Sequence, residues 1–386
     1  MRGPAQLPRL PLLLLALALA LAALSACAAQ PTGDSSDAAA TDAPDAPPAP
    51  PLLHLGASIN IFSRYGYLSI SMRVVPRNDS DPTWIFREPT VDIFKNASLR
   101  AAPPQSSRDP RHPTPVFTGD FHMEFCDNVR QLLQAYFRDF SLEKLDRPWR
   151  AFSGSWSRAA IARHLGINAT YLTGGYSFVL VRVARHRERA RLLGGGGGGA
   201  GAGGEDAAPQ PELEEAVARE AELVSPGDAA SVVNFVRSFG SHYIASYVTG
   251  NSLYQVFVYS QQIFRNLKQR LKTQGATELS NSDLASFFSP WYAEHIGRIQ
   301  SASGNATVEA WAARELRVHY YFYAYQNLLK LNGNAKLLRV LDGLLGNEAL
   351  LQLDLRTLVP AFKDPTKRQW FQEVVDNYLK LWEVNM

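Results

Sequence analysis

The chain has 386 residues, 46% hydrophobic and 11% aromatic, enough to bury a large core in one large domain or in two or three smaller ones. Its 39 Lys and Arg stand against 36 Asp and Glu, a formal net charge of +3, so composition argues against a nucleic-acid-binding protein and demands no polyanionic partner.

Arg2 and Arg9 precede an Ala/Leu run from Leu10 to Leu24, and the small residues Ser25, Ala26, Cys27 and Ala28 follow. This is the grammar of a secretory signal peptide over residues 1–28. An uncleaved anchor is the alternative, but the run is Ala-rich and short for a span. Leu24-Ser25-Ala26-Cys27 also reads as a bacterial lipobox, with Cys27 lipidated after export. Residues 29–51 are Ala, Asp, Pro, Thr and Ser with few large apolar side chains, and are expected to form a disordered leader ahead of a domain over 52–386.

Leu68 to Val74 alternates apolar and polar residues as a half-exposed strand does, and the Pro- and Arg-rich stretch from Ala101 to Pro115 reads as a loop. Cys126 falls in a helical pattern with Phe125, Val129, Leu132, Leu133, Tyr136, Phe137 and Phe140. It is expected to lie on a helix as a buried, inert thiol, and removal of Cys27 with the signal leaves no internal disulfide.

Gly174-Gly175 introduces a strand from Tyr176 to Val183. A basic run through Arg182, Arg185, Arg187, Arg189 and Arg191 leads into six consecutive glycines, Gly194 to Gly199. The tract is expected to be a disordered insertion over about 190–211. No Lys-Ser/Thr follows it, so it is not a phosphate-binding loop.

From Ser225 the local chemistry is more explicit. Ser225 suits an N-cap and Pro226 a first helical position; Val232, Phe235, Val236 and Phe239 form an apolar stripe, and Gly240 follows as a left-handed cap. Ser241-His242-Tyr243 then opens a strand that Gly250 interrupts, and Leu253 to Tyr259 is apolar enough to be covered on both faces. Gln261 to Thr273 reads as a helix with Arg265, Lys268, Arg270 and Lys272 on one face. That face is expected to be solvated, with peripheral contact to an anionic membrane as the alternative. The C-terminal third reads as helical, including the aromatic stretch Val308 to Leu331 and a last helix that starts at Asp364-Pro365.

No catalytic constellation is evident. His242 is read as a satisfied structural residue, and the other histidines show no metal spacing. Gly-x-Ser-x-Gly, Walker and paired-Cys patterns are missing, so no enzyme, cofactor, metal or small-molecule substrate is expected. Sequons at Asn78, Asn96, Asn168 and Asn305 are candidate N-glycosylation sites for an exported chain.

Phe239-Gly240-Ser241-His242-Tyr243, with Gly250 further on, resembles the signature of the membrane-attack-complex/perforin family. Phe239 replaces the usual Tyr or Trp, and Asn251 stands where a second Gly is expected. The blocks Tyr65 to Pro76 and Asp81 to Thr90 are similar to the Torso-like branch of that family, an arthropod group for which a lipobox has no use. The resemblance implies an α+β fold, a bent four-stranded antiparallel sheet flanked by helical clusters, with a helical C-terminal region. It further implies a secreted, non-enzymatic protein of the perivitelline space and vitelline membrane. Such a protein acts with extracellular Torso/Trunk pathway proteins and the eggshell matrix in embryonic terminal patterning. The family's other mode is pore formation, in which two helical clusters unroll into membrane-spanning hairpins. The charge of Arg182 to Arg191 and of the basic helix argues against it.

Overall fold

The computed structural model describes residues 55–62, 91–95, 120–154, 156–192, 212–274, 286–320 and 323–385. The signal and leader, the strand expected over Leu68 to Val74, the loop up to Pro115, the glycine tract, Asn78 and Asn96 lie outside them.

After the short β1 (Ser58–Ile59), β2 (Asp120–Cys126) runs up to α1 (Val129–Tyr136). Asn128 caps α1, its Oδ1 accepting the Gln131 N–H at 3.0 Å. That cap places Cys126 at the end of a strand, not on the helix as its spacing suggested. The thiol is buried, and burial first, then the neighbouring Glu124 and Asp127 carboxylates, push it up to about 12. It is therefore protonated and unreactive at neutral pH.

β3 (Phe140–Leu142), α2 (Pro148–Ser153) and α3 (Arg158–Leu165) follow. β4 (Tyr176–Arg191) continues well past Val183, where the alternating pattern stopped, because Arg185 to Arg191 keep pairing with the next long strand. α4 (Glu215–Leu223) and α5 (Ala229–Phe239) lead to β5 (His242–Ser260). The cap of α5 is Asp228, whose Oδ1 accepts the Ala230 N–H at 2.9 Å, and not Ser225. Ser225 instead closes a turn, its carbonyl accepting the Asp228 N–H at 3.1 Å across a Gly227 with φ 89°.

α6 (Gln261–Gln274), β6 (His295–Ile296), β7 (Gln300–Ser301) and α7 (Ala306–Glu315) come next. Within Val308 to Leu331 the α-helix ends at Glu315, and one 3-10 turn follows at Leu328–Leu331. Arg317-Val-His-Tyr320 and Tyr323-Ala-Tyr-Gln326 pair as an antiparallel hairpin, β8 (Arg317–Tyr320) with β9 (Tyr323–Gln326). Aromatic and β-branched side chains favour that geometry. α8 (Ala335–Leu344), β10 (Ala349–Thr357) and α9 (Pro365–Asn385) complete the chain. β10 corrects the all-helical reading of this region: Leu351, Leu353, Leu355 and Thr357 are buried and the residues between them are half-buried, a period of two.

The sheet has eight strands, not four. Four of the longer ones run β2-β4-β5-β10, all antiparallel, and β3 adds to β10 in parallel. β5 is long enough to change neighbours along its length. On one side β1 is succeeded by β4, and on the other β10 is succeeded by β7 and then β6. Both faces are covered. Phe178, Leu180, Tyr254, Val256 and Val258 enter one apolar cluster with α1, α5 and α9, while Val179, Val181, Leu253, Phe257 and Tyr259 enter a second with α6, α7 and α8. Leu253 to Tyr259 is thus a doubly buried strand, as its composition requires.

Candidate functional site

The signature residues sit at the helix-to-strand junction and stitch distant segments together. Gly240 has φ 81° and ψ 179°, a positive φ but an extended ψ, so it is not the left-handed helical cap that its position suggested. A Cβ there would lie 3.0 Å from the backbone C and O of Ile59. The glycine is needed because β1 passes directly over it. Ser241 then bridges to β1: its Oγ accepts the Ile61 N–H at 3.2 Å and its own N–H donates to the Ile59 carbonyl at 3.1 Å. Tyr243 buries its ring edge-on against Phe94 at 5.1 Å, and Phe239 leans on Phe235 at 5.4 Å.

His242 is fully buried, with Nδ1 3.0 Å from Ser241 Oγ and Nε2 lacking a hydrogen bond of normal geometry. Burial lowers its pKa from 6.5 to about 3, against a weaker upward pull from the backbone of Glu143. The unfolded chain therefore binds a proton below pH 6.5 that the native chain refuses until about pH 3. Stability from this residue is fully present above pH 6.5 and is lost as pH falls through that window. The loss is about 1.4 kcal/mol per pH unit, or about 2 kcal/mol on going from neutrality to about pH 5. Urea unfolding at those two pH values should show this drop in the natural protein and a clearly smaller one in His242→Gln.

Gly250 lies where both neighbouring strands are irregular at one level. β4 carries a bulge between His186 and Glu188, opposite Gly250 and Thr249, and β10 carries another between Leu350 and Gln352, opposite Thr249 and Val248. Bulges on both neighbours bend the sheet at this point. The Arg185 carbonyl would lie 1.9 Å from a Cβ on Gly250.

Asn251, which stands in place of a second glycine, is not there for positive φ. Among the described residues Lys144 is the only non-glycine with that conformation. Its buried side chain holds a network: Nδ2 donates to Ser303 Oγ at 2.8 Å and Glu348 Oε2 at 2.9 Å, and Oδ1 accepts from the N–H groups of Ser252 and Ser303 at 2.8 and 3.2 Å. Gln255, four residues on, does the same deeper in the core. Nε2 donates to the carbonyls of Gly297 and Gln326 at 2.8 and 2.9 Å, and Oε1 accepts the Leu328 N–H at 2.8 Å. Sequence reading named Asn251 only as a departure from the signature and passed over Gln255. The available signal was a lone amide inside an otherwise apolar strand.

Of the two charged stretches set against pore formation, Arg182 to Arg191 lie in the sheet strand β4 and not in a helical cluster, and α6 is packed on the sheet. On β4, Arg182 donates to the Tyr136 carbonyl at 2.7 Å and stacks over the Tyr136 ring, Arg185 pairs with Asp342, and Arg187 donates to the carbonyls of Asp342 and Leu345 at 3.1 and 3.2 Å. The arginine run is thus a clamp between β4 and the end of α8. In α6, Phe264 and Leu267 are buried in the second cluster, while Lys268 pairs with Asp127 at 3.1 Å.

Of the sequons, Asn168 and Asn305 are described. Both cap helical turns through Oδ1, Asn168 accepting from Thr170 and Asn305 from Thr307 and Val308. Asn168 is exposed, whereas the Asn305 amide nitrogen donates to Glu348 at 3.5 Å. When the protein is made in insect cells, Asn168→Gln should therefore shift its electrophoretic mass, and Asn305→Gln should shift it less. Equal shifts would contradict this ordering. Among the described residues no three His, Cys, Asp or Glu side chains converge as a metal site, and no helix is long and apolar enough to cross a membrane.

No family model and no curated protein sequence matches the chain. Solved structures do. One is GNIP1Aa from Chromobacterium piscinae, 10% identical over 69% of this chain and 46% of its own, with a TM-score of 0.39. A cell invasion protein with a MAC/Perforin domain from Bacteroides thetaiotaomicron is 10% identical over 83% of this chain and 59% of its own, with a TM-score of 0.34. Astrotactin-2, described as a vertebrate-specific, perforin-like membrane protein of neuronal development, is 12% identical over 69% and 81%, with a TM-score of 0.29. The likeness is partial, and the chain spans about half the length of GNIP1Aa.

Proposed function

We propose that this chain is a secreted, non-enzymatic factor of the membrane-attack-complex/perforin type, in its Torso-like branch. In this reading it works folded, as a localised extracellular cue for activation of the Torso receptor tyrosine kinase through a Trunk-type ligand. Its partners are extracellular proteins of that pathway and the eggshell matrix. The signature Phe239-Gly240-Ser241-His242-Tyr243 and Gly250 supports the family, and the packing of α6 on the sheet supports the folded mode of action. Unrolling α6 would strip Phe264 and Leu267 from their cluster, break the Lys268–Asp127 pair and carry Arg265, Lys268 and Arg270 into lipid. An Arg at the bilayer midplane of a barrel strand costs about 2–4 kcal/mol.

The test uses purified secreted protein and a form in which an engineered disulfide joins α6 to the sheet. Liposomes should stay sealed to trapped dye with either form, and the locked form should keep its signalling activity in embryos. Dye release by the natural protein that the disulfide blocks would instead establish the pore-forming mode.

A further inference from the structure

Some arginines of the described surface have carboxylate partners. Arg138 faces Glu124 and Asp139, Arg185 faces Asp342, and Arg356 faces Asp354. One hollow gathers three arginines with none. Between α1 and α2, a cup of about 280 Å3 is walled by Arg130, Leu133, Arg147, Trp149, Arg150 and Ser153, and no carboxylate among the described residues lines it.

Arg150 donates to the Glu383 carbonyl at 3.3 Å, which fixes it against α9. Arg130 and Arg147 are exposed and make no ion pair among the described residues. Their positions are not explained by local stability. Arg130 stands in the first turn of α1, where the helix dipole disfavours a cation, and Arg147 precedes Pro148 without making a side-chain cap. Three like charges around one small volume repel each other until a counter-charge enters. A second arginine-bearing hollow, with Arg138, Arg189, Arg191 and Arg356, carries its own Asp139 and Asp354, which offset part of its charge.

We infer that the cup binds a phosphate or sulfate monoester. The oxyanion sits between Arg130, Arg147 and Arg150, and the ring or apolar part of the ligand lies against Trp149 and Leu133. Guanidinium forks match the paired oxygens of such groups, and an indole offers a flat face for a sugar or ring. The volume suits one headgroup or one saccharide unit. Sulfated saccharides of an extracellular matrix and phosphorylated lipid headgroups share this chemistry. The site does not depend on any role in Torso signalling.

The experiment measures binding of the purified full chain to a sulfated heparin disaccharide by calorimetry, and to vesicles containing phosphatidylinositol 4-phosphate by co-sedimentation, at matched ionic strength. At least one probe should bind, and Arg130→Ala/Arg147→Ala should weaken it tenfold or more while the unliganded melting temperature stays unchanged. Arg189→Ala/Arg191→Ala, in the other hollow, should bind as the natural protein does. If the double variant proves unstable, Arg147→Lys supplies the readout, since it keeps the charge, loses the fork and should still bind more weakly. Binding of the disaccharide alone assigns a saccharide ligand, and binding of vesicles alone assigns a lipid one. Failure of both probes, or equal binding by natural protein and variants, would overturn the inference.

Discussion

Gly250→Ala is expected to destabilise the protein by about 3–5 kcal/mol. The added Cβ would meet the Arg185 carbonyl at 1.9 Å and its carbonyl carbon at 3.0 Å. These are backbone atoms of β4, and β4 cannot retreat. Arg185 is paired with Asp342, and strand pairing continues on both sides of the bulge. Gly227→Ala is the control. Gly227 has φ 89° but nothing within 4 Å of an added Cβ, so that change carries only backbone strain of about 1 kcal/mol. Denaturation of the two variants side by side separates the clash from the strain. A loss at Gly250 no larger than that at Gly227 would mean that the two bulged strands shift away from β5 freely and that the bend is not a rigid feature.

Gln255→Leu should cost about 4 kcal/mol, although the replacement is close in size and more apolar than what it replaces. In the natural protein one amide satisfies three backbone groups, the Gly297 and Gln326 carbonyls and the Leu328 N–H. A leucine leaves all three without that partner in a region closed to solvent, and an unsatisfied buried group costs about 1–3 kcal/mol. Gln255→Glu supplies the contrast, because a carboxylate still accepts from Leu328 but faces two carbonyls with nothing to donate. Both variants should unfold at lower urea, with unchanged slope, than the natural protein. If Gln255→Leu were as stable as the natural protein, the contacts of β5 with the 297 and 326–328 segments would have to be held by packing alone.

Local chemistry alone was enough to locate much of this fold. The apolar stripe of α5, Gly240 as a required glycine, the doubly buried stretch Leu253 to Tyr259 and the Asp364-Pro365 start of α9 were all legible, because each depends on residues within one or two turns of each other. What needed the tertiary structure is what depends on partners far along the chain. The strand character of Arg185 to Arg191 is set by pairing with β5 and by α8, more than 150 residues on, and no periodicity within the run reveals it. The hairpin of Arg317 to Gln326 and the strand β10 were hidden in a stretch rich enough in Leu and Tyr to suit a helix, and their pairing partners decided the matter. The left-handed cap read at Gly240 failed because ψ there is set by β1 crossing above, which places Ile59 against residue 240. The arginine cup is of the same kind. Arg130 and Arg147 are separated in sequence by an intervening strand and become one electropositive surface only when α1 and α2 pack together.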